Sequence, residues 1–452
     1  MGEHLFTRSF ECANARETSC LHSDGPMTRK TLVVVGNGMV GQKLLEELDD
    51  RGATEAWELV TFCEEPRVAY DRVHLSSFFE GATPEELSVV PDGFLDRDGL
   101  TVHVGDSVVS IDRVARTVAS RAGLVIGYDA LVLATGSYPF VPPIPGNDLA
   151  GTFVYRTIDD LEAIRAYAVG RGSGVVIGGG LLGLEAANAL RTLELDTRVV
   201  EFAPRLMPVQ VDESGGRLLR SMVEQLGVGV HVATETSEIV AGPDGAVSGL
   251  AFADGTMIGA DLVVFSAGIR PRDELARACG LEIGERGGVL VDDALVTSDP
   301  SIFAIGECAA HRGRVYGLVS PGYQMARVLA DRLTGAEATF TGADMSTKLK
   351  LMGVDVASFG DGHGAEGTQE ISYVDPTAGV YKKIVLSPEG DRLVGGILVG
   401  DASDYGGLHQ MMAHALPLPE RPGALIFPAT NGTAGGAATG MSVVKLPDSA
   451  QI

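Results

Sequence analysis

Residues 31–48 read TLVVVGNGMVGQKLLEEL, and this stretch decides the fold. The apolar run before the first glycine is typical of a buried strand, and the spaced apolar residues after it are typical of an amphipathic helix. Gly36, Gly38 and Gly41 stand between them in the pattern G-x-G-x-x-G. The first glycine permits a tight turn, the second lets a pyrophosphate approach the backbone, and the third lets helix and strand pack closely. The stretch therefore predicts a βα unit that binds a dinucleotide.

The same design occurs a second time in the chain. Residues 173–190 read SGVVIGGGLLGLEAANAL, with Gly178, Gly180 and Gly183 in the same register. This repeat predicts two separate βαβ nucleotide-binding units rather than one.

A carboxylate follows the second strand of each unit. The strand WELVTFCEE ends in Glu64 and Glu65, and TRVVEF places Glu201 at the end of its strand. Either of the first two carboxylates could accept hydrogen bonds from ribose hydroxyls, and Glu64 is the first choice. Glu201 would accept from a free 2′-hydroxyl and repel a 2′-phosphate, which favours NADH over NADPH, although Arg205 could weaken that preference. Arg72 is predicted to pair with the pyrophosphate, and the alternative is an ordinary surface arginine.

Two nucleotide-binding units in one chain predict a specific chemistry. We expect FAD on the first and NADH on the second, because hydride passes between two rings only at van der Waals distance. The alternative from another class is a sensor or scaffold that binds both nucleotides without catalysis.

The composition excludes several other classes of protein. The chain has 452 residues and a net charge of -25, which disfavours nucleic acid as a partner. Its apolar runs are too short to cross a membrane. Its five cysteines are scattered without a C-x-x-C pair, so we expect no disulfide framework, no metal site and a cytoplasmic location. Cys63 is interpreted as a small buried hydrophobe.

The predicted fold class is α/β, with two Rossmann-like dinucleotide-binding domains and a small α+β C-terminal domain. Residues 321–335 are expected to form a helix that Pro321 begins and Gly335 closes. The predicted divisions are a disordered leader (1–27), an FAD-binding domain in two parts (28–150 and 267–336), an NAD-binding domain (151–266), the C-terminal domain (337–414) and an irregular tail (415–452).

Further strings of residues carry a resemblance to a known family. The order of both glycine motifs, YDR-x-x-LS, ATG at 134–136, AGIRP at 267–271 and IFAIGE at 302–307 resembles the two-dinucleotide-binding flavoproteins, which include NADH-dependent rubredoxin and ferredoxin reductases. The longer strings FCEEPRVAYDRVHLSSFF, TKLKLMGVDVASFGDG and ILVGDASDYGGL resemble the N-terminal flavoprotein region of the large subunit of assimilatory NAD(P)H nitrite reductase.

The resemblance implies a role for individual residues. The residues implied to contact FAD are Gly36, Gly38, Met39, Val40, Gly41, Glu64, Glu65, Arg72, Val108, Ala134, Thr135, Gly136, Gly306 and Glu307. The residues implied to contact NADH are Gly178, Gly180, Leu182, Gly183, Glu201 and Gly268. Val108 is expected against the adenine, Glu307 at the ribityl chain, and the helix near Pro321 with its N-terminus at the pyrimidine end of the flavin.

One departure from the family concerns a pair of residues beside the flavin. Relatives commonly read LSK where this chain reads LSS, so Ser77 replaces a lysine that pairs with a glutamate. Glu185 keeps the glutamate position. It is a candidate for tuning the flavin, and the alternative is a helix residue that caps nearby backbone.

The resemblance implies an FAD-dependent NAD(P)H oxidoreductase, the electron-input module of assimilatory nitrite reductase. The iron-sulfur and sirohaem parts are expected to be absent from this chain and supplied by a separate electron-acceptor partner. The alternatives within the enzymes are a free-standing NADH:rubredoxin or ferredoxin reductase, or an NADH oxidase. The C-terminal domain is expected to cover the flavin side and to contact a partner or a second copy in a homodimer.

Overall fold

The computed structural model describes residues 29–427. The predicted leader at 1–27 lies outside these residues, as does most of the predicted tail. In chain order, the first part of the fold contains β1 (Lys30–Val35), α1 (Met39–Asp50), β2 (Trp57–Cys63), β3 (Leu100–Val104), β4 (Val108–Asp112), β5 (Thr117–Ser120), β6 (Val125–Gly127), β7 (Ala130–Leu133) and β8 (Ser137–Pro139).

The middle of the chain contains β9 (Thr152–Val154), α2 (Ile158–Ala168), β10 (Ser173–Ile177), α3 (Leu181–Thr192), β11 (Asp196–Val200), α4 (Glu213–Gln225), β12 (Gly229–His231), β13 (Thr236–Ala241), β14 (Val247–Phe252), β15 (Met257–Gly259), β16 (Leu262–Phe265), β17 (Ile269–Pro271), α5 (Glu274–Ala278) and β18 (Val289–Val291). The last part contains β19 (Ile302–Ala304), β20 (Ala309–His311), β21 (Arg314–Val315), α6 (Val319–Leu333), β22 (Thr347–Leu351), β23 (Val354–Gly360), β24 (Gln369–Asp375), β25 (Val380–Leu386), β26 (Leu393–Val399) and α7 (Tyr405–Ala413).

The first nucleotide-binding fold is a five-stranded parallel sheet in the order β19-β7-β1-β2-β3. The central strand β1 is apolar on both faces, as expected for a parallel sheet covered by helices, and Leu32, Val33 and Val34 are fully buried. Helix α1 packs against α6 on this sheet. The chain returns to the sheet through β7 and β19, so this fold is assembled from segments far apart in sequence.

The second nucleotide-binding fold repeats that arrangement. Its sheet runs β9-β16-β10-β11-β12, all parallel, and β10 takes the central place that β1 has in the first sheet. Both sheets place the strand before the glycine turn next to the strand that ends in acid. The predicted fold class, with two Rossmann-like folds, is therefore confirmed.

The third glycine of each motif lets the helix lie directly on the turn. A Cβ atom at Gly41 would lie 2.0 Å from the carbonyl oxygen of Gly36. The equivalent atom at Gly183 would lie 1.9 Å from the carbonyl oxygen of Gly178. Neither distance leaves room for any side chain, so glycine is required at both positions by packing alone.

The small third domain is a five-stranded antiparallel sheet, β22-β23-β26-β25-β24, with α7 against it. Leu351 and Tyr381 of this domain share one apolar cluster with Leu219 and Val223 on α4 of the second fold. The N-cap residue of α4, Asp212, also accepts a hydrogen bond of 2.6 Å from the hydroxyl of Tyr381. The third domain therefore packs on the second nucleotide-binding fold.

One predicted boundary is wrong. Helix α6 begins at Val319, before Pro321, and ends at Leu333. Pro321 lies within the first turn, where its missing N–H needs no partner, so a proline there does not mark the first residue. Among the described helices, none is long and apolar enough to cross a membrane.

Candidate cofactor site

A cavity of about 640 Å³ lies at the carboxyl end of the first sheet. It falls within the size range of cofactor sites. The residues predicted to bind cofactor that line it are Gly36, Gly38, Met39, Val40, Glu64, Glu65, Arg72, Val108, Ala134, Thr135, Gly136, Leu182, Gly306 and Glu307, together with Glu185. Leu182 and Glu185 lie on α3, so the second fold contributes to a cavity that the first fold builds.

The glycine turn leaves polar groups and open space facing this cavity. A Cβ atom at Gly38 would meet no protein atom within 4 Å. Asn37 lines the cavity and is only 2% exposed, yet neither its amide nitrogen nor its amide oxygen has a hydrogen-bond partner. Buried amides are rarely left unsatisfied, so a polar ligand at this turn fits the residues present. A dinucleotide phosphate next to the N-terminus of α1 has this chemistry.

Arg72 is held inside the cavity wall. Its guanidinium pairs with the Glu65 carboxylate and donates a hydrogen bond of 2.9 Å to the carbonyl oxygen of Arg156. Glu65 also accepts a hydrogen bond of 2.6 Å from the hydroxyl of Tyr70. The Arg72 side chain is 21% exposed, so it belongs to the cavity and not to the open surface.

Glu64 is more accessible than its neighbour. It pairs with Arg272 and its side chain is 53% exposed. Because Tyr70 and Arg72 already hold Glu65, Glu64 is the carboxylate that is free to exchange its single partner for a ribose hydroxyl. This arrangement supports the first choice made from the sequence.

Glu307 belongs to a compact polar group in the cavity wall. Its carboxylate accepts hydrogen bonds from the hydroxyl of Ser137 at 2.7 Å and from the guanidinium of Arg156 at 2.6 Å. The first residues of α6, Val319 and Ser320, line the same cavity, as do Gly317 and Leu318 just before the helix. The positive end of the α6 dipole therefore faces the cavity, as expected from the resemblance.

Glu185 differs from Glu65 and Glu307, the other carboxylates in the cavity wall that are largely shielded from solvent. Its Oε2 atom is buried without a hydrogen-bond partner. Burial raises the pKa of Glu185 to about 7, and the nearby His74 opposes that shift. The sequence also left open that Glu185 caps nearby backbone groups, but its Oε2 atom accepts no hydrogen bond from any of them.

Apart from Leu182 and Glu185, the predicted residues of the second fold are not part of the cavity lining. Those outside it are Gly178, Gly180, Gly183, Glu201 and Gly268, and so is Gly41 of the first fold. The two glycine turns are nevertheless alike, because a Cβ atom at Gly180 would also meet no protein atom within 4 Å.

Glu201 is fixed by backbone groups of its own fold. Its carboxylate accepts hydrogen bonds from the N–H of Gly179 at 2.5 Å and from the N–H of Ala203 at 2.7 Å. Arg205 points its guanidinium to the carbonyl oxygens of Val211 and Pro208, at 2.9 and 3.4 Å. Since Arg205 donates to these carbonyl oxygens, it is not directed at Glu201.

The cysteines of the described segment are unpaired and at least partly buried. Cys63, Cys279 and Cys308 are free, and Cys63 is 5% exposed. Burial, followed by the charge of Glu65, raises the pKa of Cys63 to about 11. Between residues 29 and 427, no group of three or more His, Cys, Asp and Glu side chains could hold a metal ion.

Several lining residues were not predicted from the sequence. They include Asn37, Arg121, Ser137, Arg156, Arg272 and the segment 346–349. Asn37 could have been found, because it stands inside the first glycine motif. Arg156 and Arg272 come from segments distant in sequence, and only the tertiary structure brings them to Glu307 and Glu64.

Comparisons with known proteins identify the family of this chain. Residues 29–327 match the family model described as pyridine nucleotide-disulphide oxidoreductase, and residues 346–415 match the rubredoxin NAD+ reductase C-terminal domain. The chain is 49% identical, over 94% of its length and 50% of the relative, to the large subunit of nitrite reductase (NADH) from Escherichia coli strain K12. It is 36% identical, over 90% of its length and 52% of the relative, to the assimilatory nitrate reductase electron transfer subunit of Bacillus subtilis strain 168.

The chain thus spans about half the length of these two curated relatives. A solved structure of a ferredoxin reductase from Rhodopseudomonas palustris aligns with a TM-score of 0.75 and 28% identity, over 84% of this chain and 93% of that one.

Proposed function

Because the chain belongs to the pyridine nucleotide-disulphide oxidoreductase family and is an FAD-dependent oxidoreductase that uses NADH, we propose that it is the electron-input part of an assimilatory nitrite reductase. In this role it accepts hydride from NADH and passes the two electrons singly to an iron-sulfur partner that reduces nitrite. Bound FAD supplies the conversion from hydride to single electrons.

One observation carries the proposal. Residues of the first glycine turn and residues of α3, which follows the second glycine turn, line the same cavity. A nicotinamide held by the second fold and a flavin held by the first would therefore meet at α3. Such contact is the condition for direct hydride transfer, and it gives a reason for two nucleotide-binding folds in one chain.

The individual residues divide this work. We assign ribose binding of FAD to Glu64, pyrophosphate binding to Arg72 and the glycine turn, and ribityl binding to Glu307. We assign the ribose of NADH to Glu201, with NADPH disfavoured by its fixed charge. The domain divisions inferred from the sequence remain predictions.

A cytoplasmic location is part of the proposal, and the three free cysteines of the described segment support it. A homodimer, expected from the resemblance, stays a prediction that sedimentation velocity tests.

The experiment is an anaerobic titration of the FAD-bound protein with NADH. We expect the yellow flavin absorbance to bleach with one equivalent of NADH and to return on addition of a one-electron iron-sulfur acceptor. Nitrite added to the chain alone is expected to remain. A protein that binds no FAD, or whose bound FAD is not reduced by NADH, would contradict the proposal, and slow or absent reduction in stopped flow would favour the sensor.

A second candidate is a free-standing NADH:ferredoxin reductase. It is favoured by the alignment with 93% of the solved ferredoxin reductase, since that enzyme is matched over nearly its whole length. Turnover with NADH against ferredoxin, rubredoxin, oxygen and a separately supplied nitrite-reducing part distinguishes the two. Faster turnover with ferredoxin than with the nitrite-reducing part would favour the second candidate.

A further inference from the structure

The proposed function creates a proton that has to leave the cavity. A hydride carries one proton and two electrons, whereas a one-electron iron-sulfur acceptor takes electrons alone. The balanced reaction is NADH + 2 A(ox) → NAD⁺ + 2 A(red) + H⁺, so each turnover releases one proton at the site of hydride acceptance. The inference below rests on this function and concerns the route of that proton.

Glu185 is the lining carboxyl group best suited to accept a proton. Glu64, Glu65 and Glu307 are each already paired with an arginine. Glu274 lies exposed at the rim. The Oε2 atom of Glu185, in contrast, is buried, unpartnered and part of the cavity wall.

His74 is an exposed residue whose charge acts on this carboxyl group. It is the N-cap residue of a 3₁₀ helix, Leu75–Glu80, which packs against α3, and its side chain is 74% exposed. Its Nδ1 atom is 2.7 Å from Asp71, whose other oxygen accepts the backbone N–H groups of Val73 and His74. Asp71 thus holds the ring by one nitrogen and leaves Nε2 to exchange protons.

The remaining groups around Glu185 offer no competing acceptor. Tyr155 is 3% exposed with an unpartnered hydroxyl, and burial together with the Glu185 charge raises its pKa, so it stays neutral. Strand β10 carries no titratable residue, and Asp196 and Arg198 on β11 pair with each other. Lys348 and Lys350 on β22 are exposed.

Ser77 supports the same assignment. Its hydroxyl donates a hydrogen bond of 2.6 Å to the carbonyl oxygen of His74. A lysine at this place would supply a permanent positive charge that holds a neighbouring carboxyl group ionised. The serine supplies none, so the proton affinity of Glu185 is set by burial and by His74.

We propose that Glu185 and His74 form the exit path for the proton released in each turnover. The Glu185 carboxylate accepts the proton from the cavity and passes it through water to Nε2 of His74, and the imidazolium then releases it to solvent. No electron moves in these steps, and both side chains return to their starting states. The pKa of Glu185, raised to about 7 by burial, suits a group that both accepts and releases a proton near neutral pH.

The experiment compares Glu185→Gln and His74→Ala with wild type in stopped flow, with a pH indicator dye present. Proton release is followed after reduced protein is mixed with a one-electron acceptor at pH 7. Hydride uptake is measured on the same protein samples in a separate mixing of oxidised protein with NADH. We expect both variants to slow proton release by at least about tenfold relative to hydride uptake. Added imidazole should restore the rate in His74→Ala, whose site is open to solvent, but not in Glu185→Gln.

A second readout does not depend on catalysis. An infrared titration of the FAD-free protein should show a protonated carboxyl band that disappears with a midpoint near the pKa of about 7. The band should be missing in Glu185→Gln. The control Glu238→Gln, an exposed position on β13, should retain the band and release protons as the wild type does.

Two results would overturn the exit path. One is proton release in Glu185→Gln at the wild-type rate, and the other is a Glu185 carboxyl group already ionised at pH 5. A lack of rescue by imidazole would remove His74 from the path. A wild-type protein that NADH fails to reduce would instead contradict the proposed function, while the infrared titration would still report on Glu185.

Discussion

The two nucleotide-binding folds share one strand order but hold their acidic residues differently. In the first fold Val35 lies beside Phe62, and in the second Ile177 lies beside Val200. By this register Cys63, not Glu64, occupies the place of Glu201. The glycine turn and the sheet repeat residue by residue, whereas the acid of the first fold is shifted one residue along the chain.

The partners of the acids differ as well. Arg272, which is distant in sequence, holds Glu64, whereas backbone N–H groups of the second fold hold Glu201. A side-chain partner can swing away when a ligand arrives, but a backbone donor stays in place. The comparison teaches that the repeat fixes the glycine turn and its neighbouring strands, whereas the partner of the acid differs between the two folds.

The largest expected effect tests the feature that the two folds have in common. Gly41→Ala or Gly183→Ala places a Cβ atom about 2 Å from a carbonyl oxygen of its own turn, so helix and strand must separate. We expect each variant to lose about 3 kcal/mol or more of stability, measured by thermal unfolding. Gly41→Ala should also lose FAD, while Gly183→Ala should keep FAD and lose NADH binding.

The matched control for this prediction lies in the same turn. Gly180→Ala adds the same methyl group where no protein atom is within 4 Å, at a backbone φ of -79° that alanine adopts freely. We expect its thermal unfolding to match that of the wild type, whereas its affinity for NADH should be lower. Equal losses of stability at Gly180 and Gly183 would show that the close packing of the third glycine is not the cause.

The next effect concerns the third domain, which packs on the second nucleotide-binding fold. At this contact the Asp212 carboxylate accepts a hydrogen bond from the hydroxyl of Tyr381 and lies 3.4 Å from the buried Lys383 ammonium. Burial raises the pKa of Asp212, but these bonds and the N–H of Gly215 outweigh burial and lower it. The charge of Asp212 therefore stabilises the folded protein at pH values above the ordinary carboxyl pKa of about 4. This contribution is lost as the pH falls through the lowered pKa of Asp212 in the folded protein.

Asp212→Asn removes the charge but keeps a side chain that can cap α4. We expect a loss of about 2 kcal/mol at pH 7, measured by thermal unfolding, and a smaller difference from the wild type at acidic pH. Glu213→Gln is the control, because this neighbour is 80% exposed and its pair with Arg217 should contribute little. A pH-independent loss would assign the effect to packing instead of charge.

The sequence predicted the parts of the site that are local. Each glycine motif, with its strand, helix and following acid, lies within about 30 residues, and the structure places them as expected. Arg272 and Arg156 could not be predicted, because pairing with Glu64 and Glu307 depends on how distant segments meet. For the same reason the sequence did not predict that β22 contributes to the cavity lining. It also could not show that Cys63, and not Glu64, corresponds to Glu201, because this correspondence follows from the pairing of the strands.

Glu201→Gln tests the fixed acid of the second fold. The amide keeps the size of the side chain but loses the charge, and one of its two ends cannot accept from the N–H groups of Gly179 and Ala203. We expect the KM for NADH to rise about tenfold and the KM for NADPH to change less, so that the preference for NADH narrows. Steady-state kinetics with each nucleotide measures this. An unchanged ratio of the two KM values would mean that Glu201 does not read the ribose.

The smallest expected effect is at Cys63, the residue of the first fold that corresponds to Glu201 of the second fold. Burial and the charge of Glu65 raise its pKa to about 11, so at pH 8 only about one thiol in a thousand is ionised. We expect iodoacetamide to leave Cys63 unmodified in the folded protein at pH 8 and to modify it after unfolding, as measured by peptide mass mapping. Cys63→Ala should retain FAD binding within about twofold, because the ribose is assigned to the next residue. A large loss of FAD in Cys63→Ala, at unchanged stability, would show that both folds read the ribose from the same strand position after all.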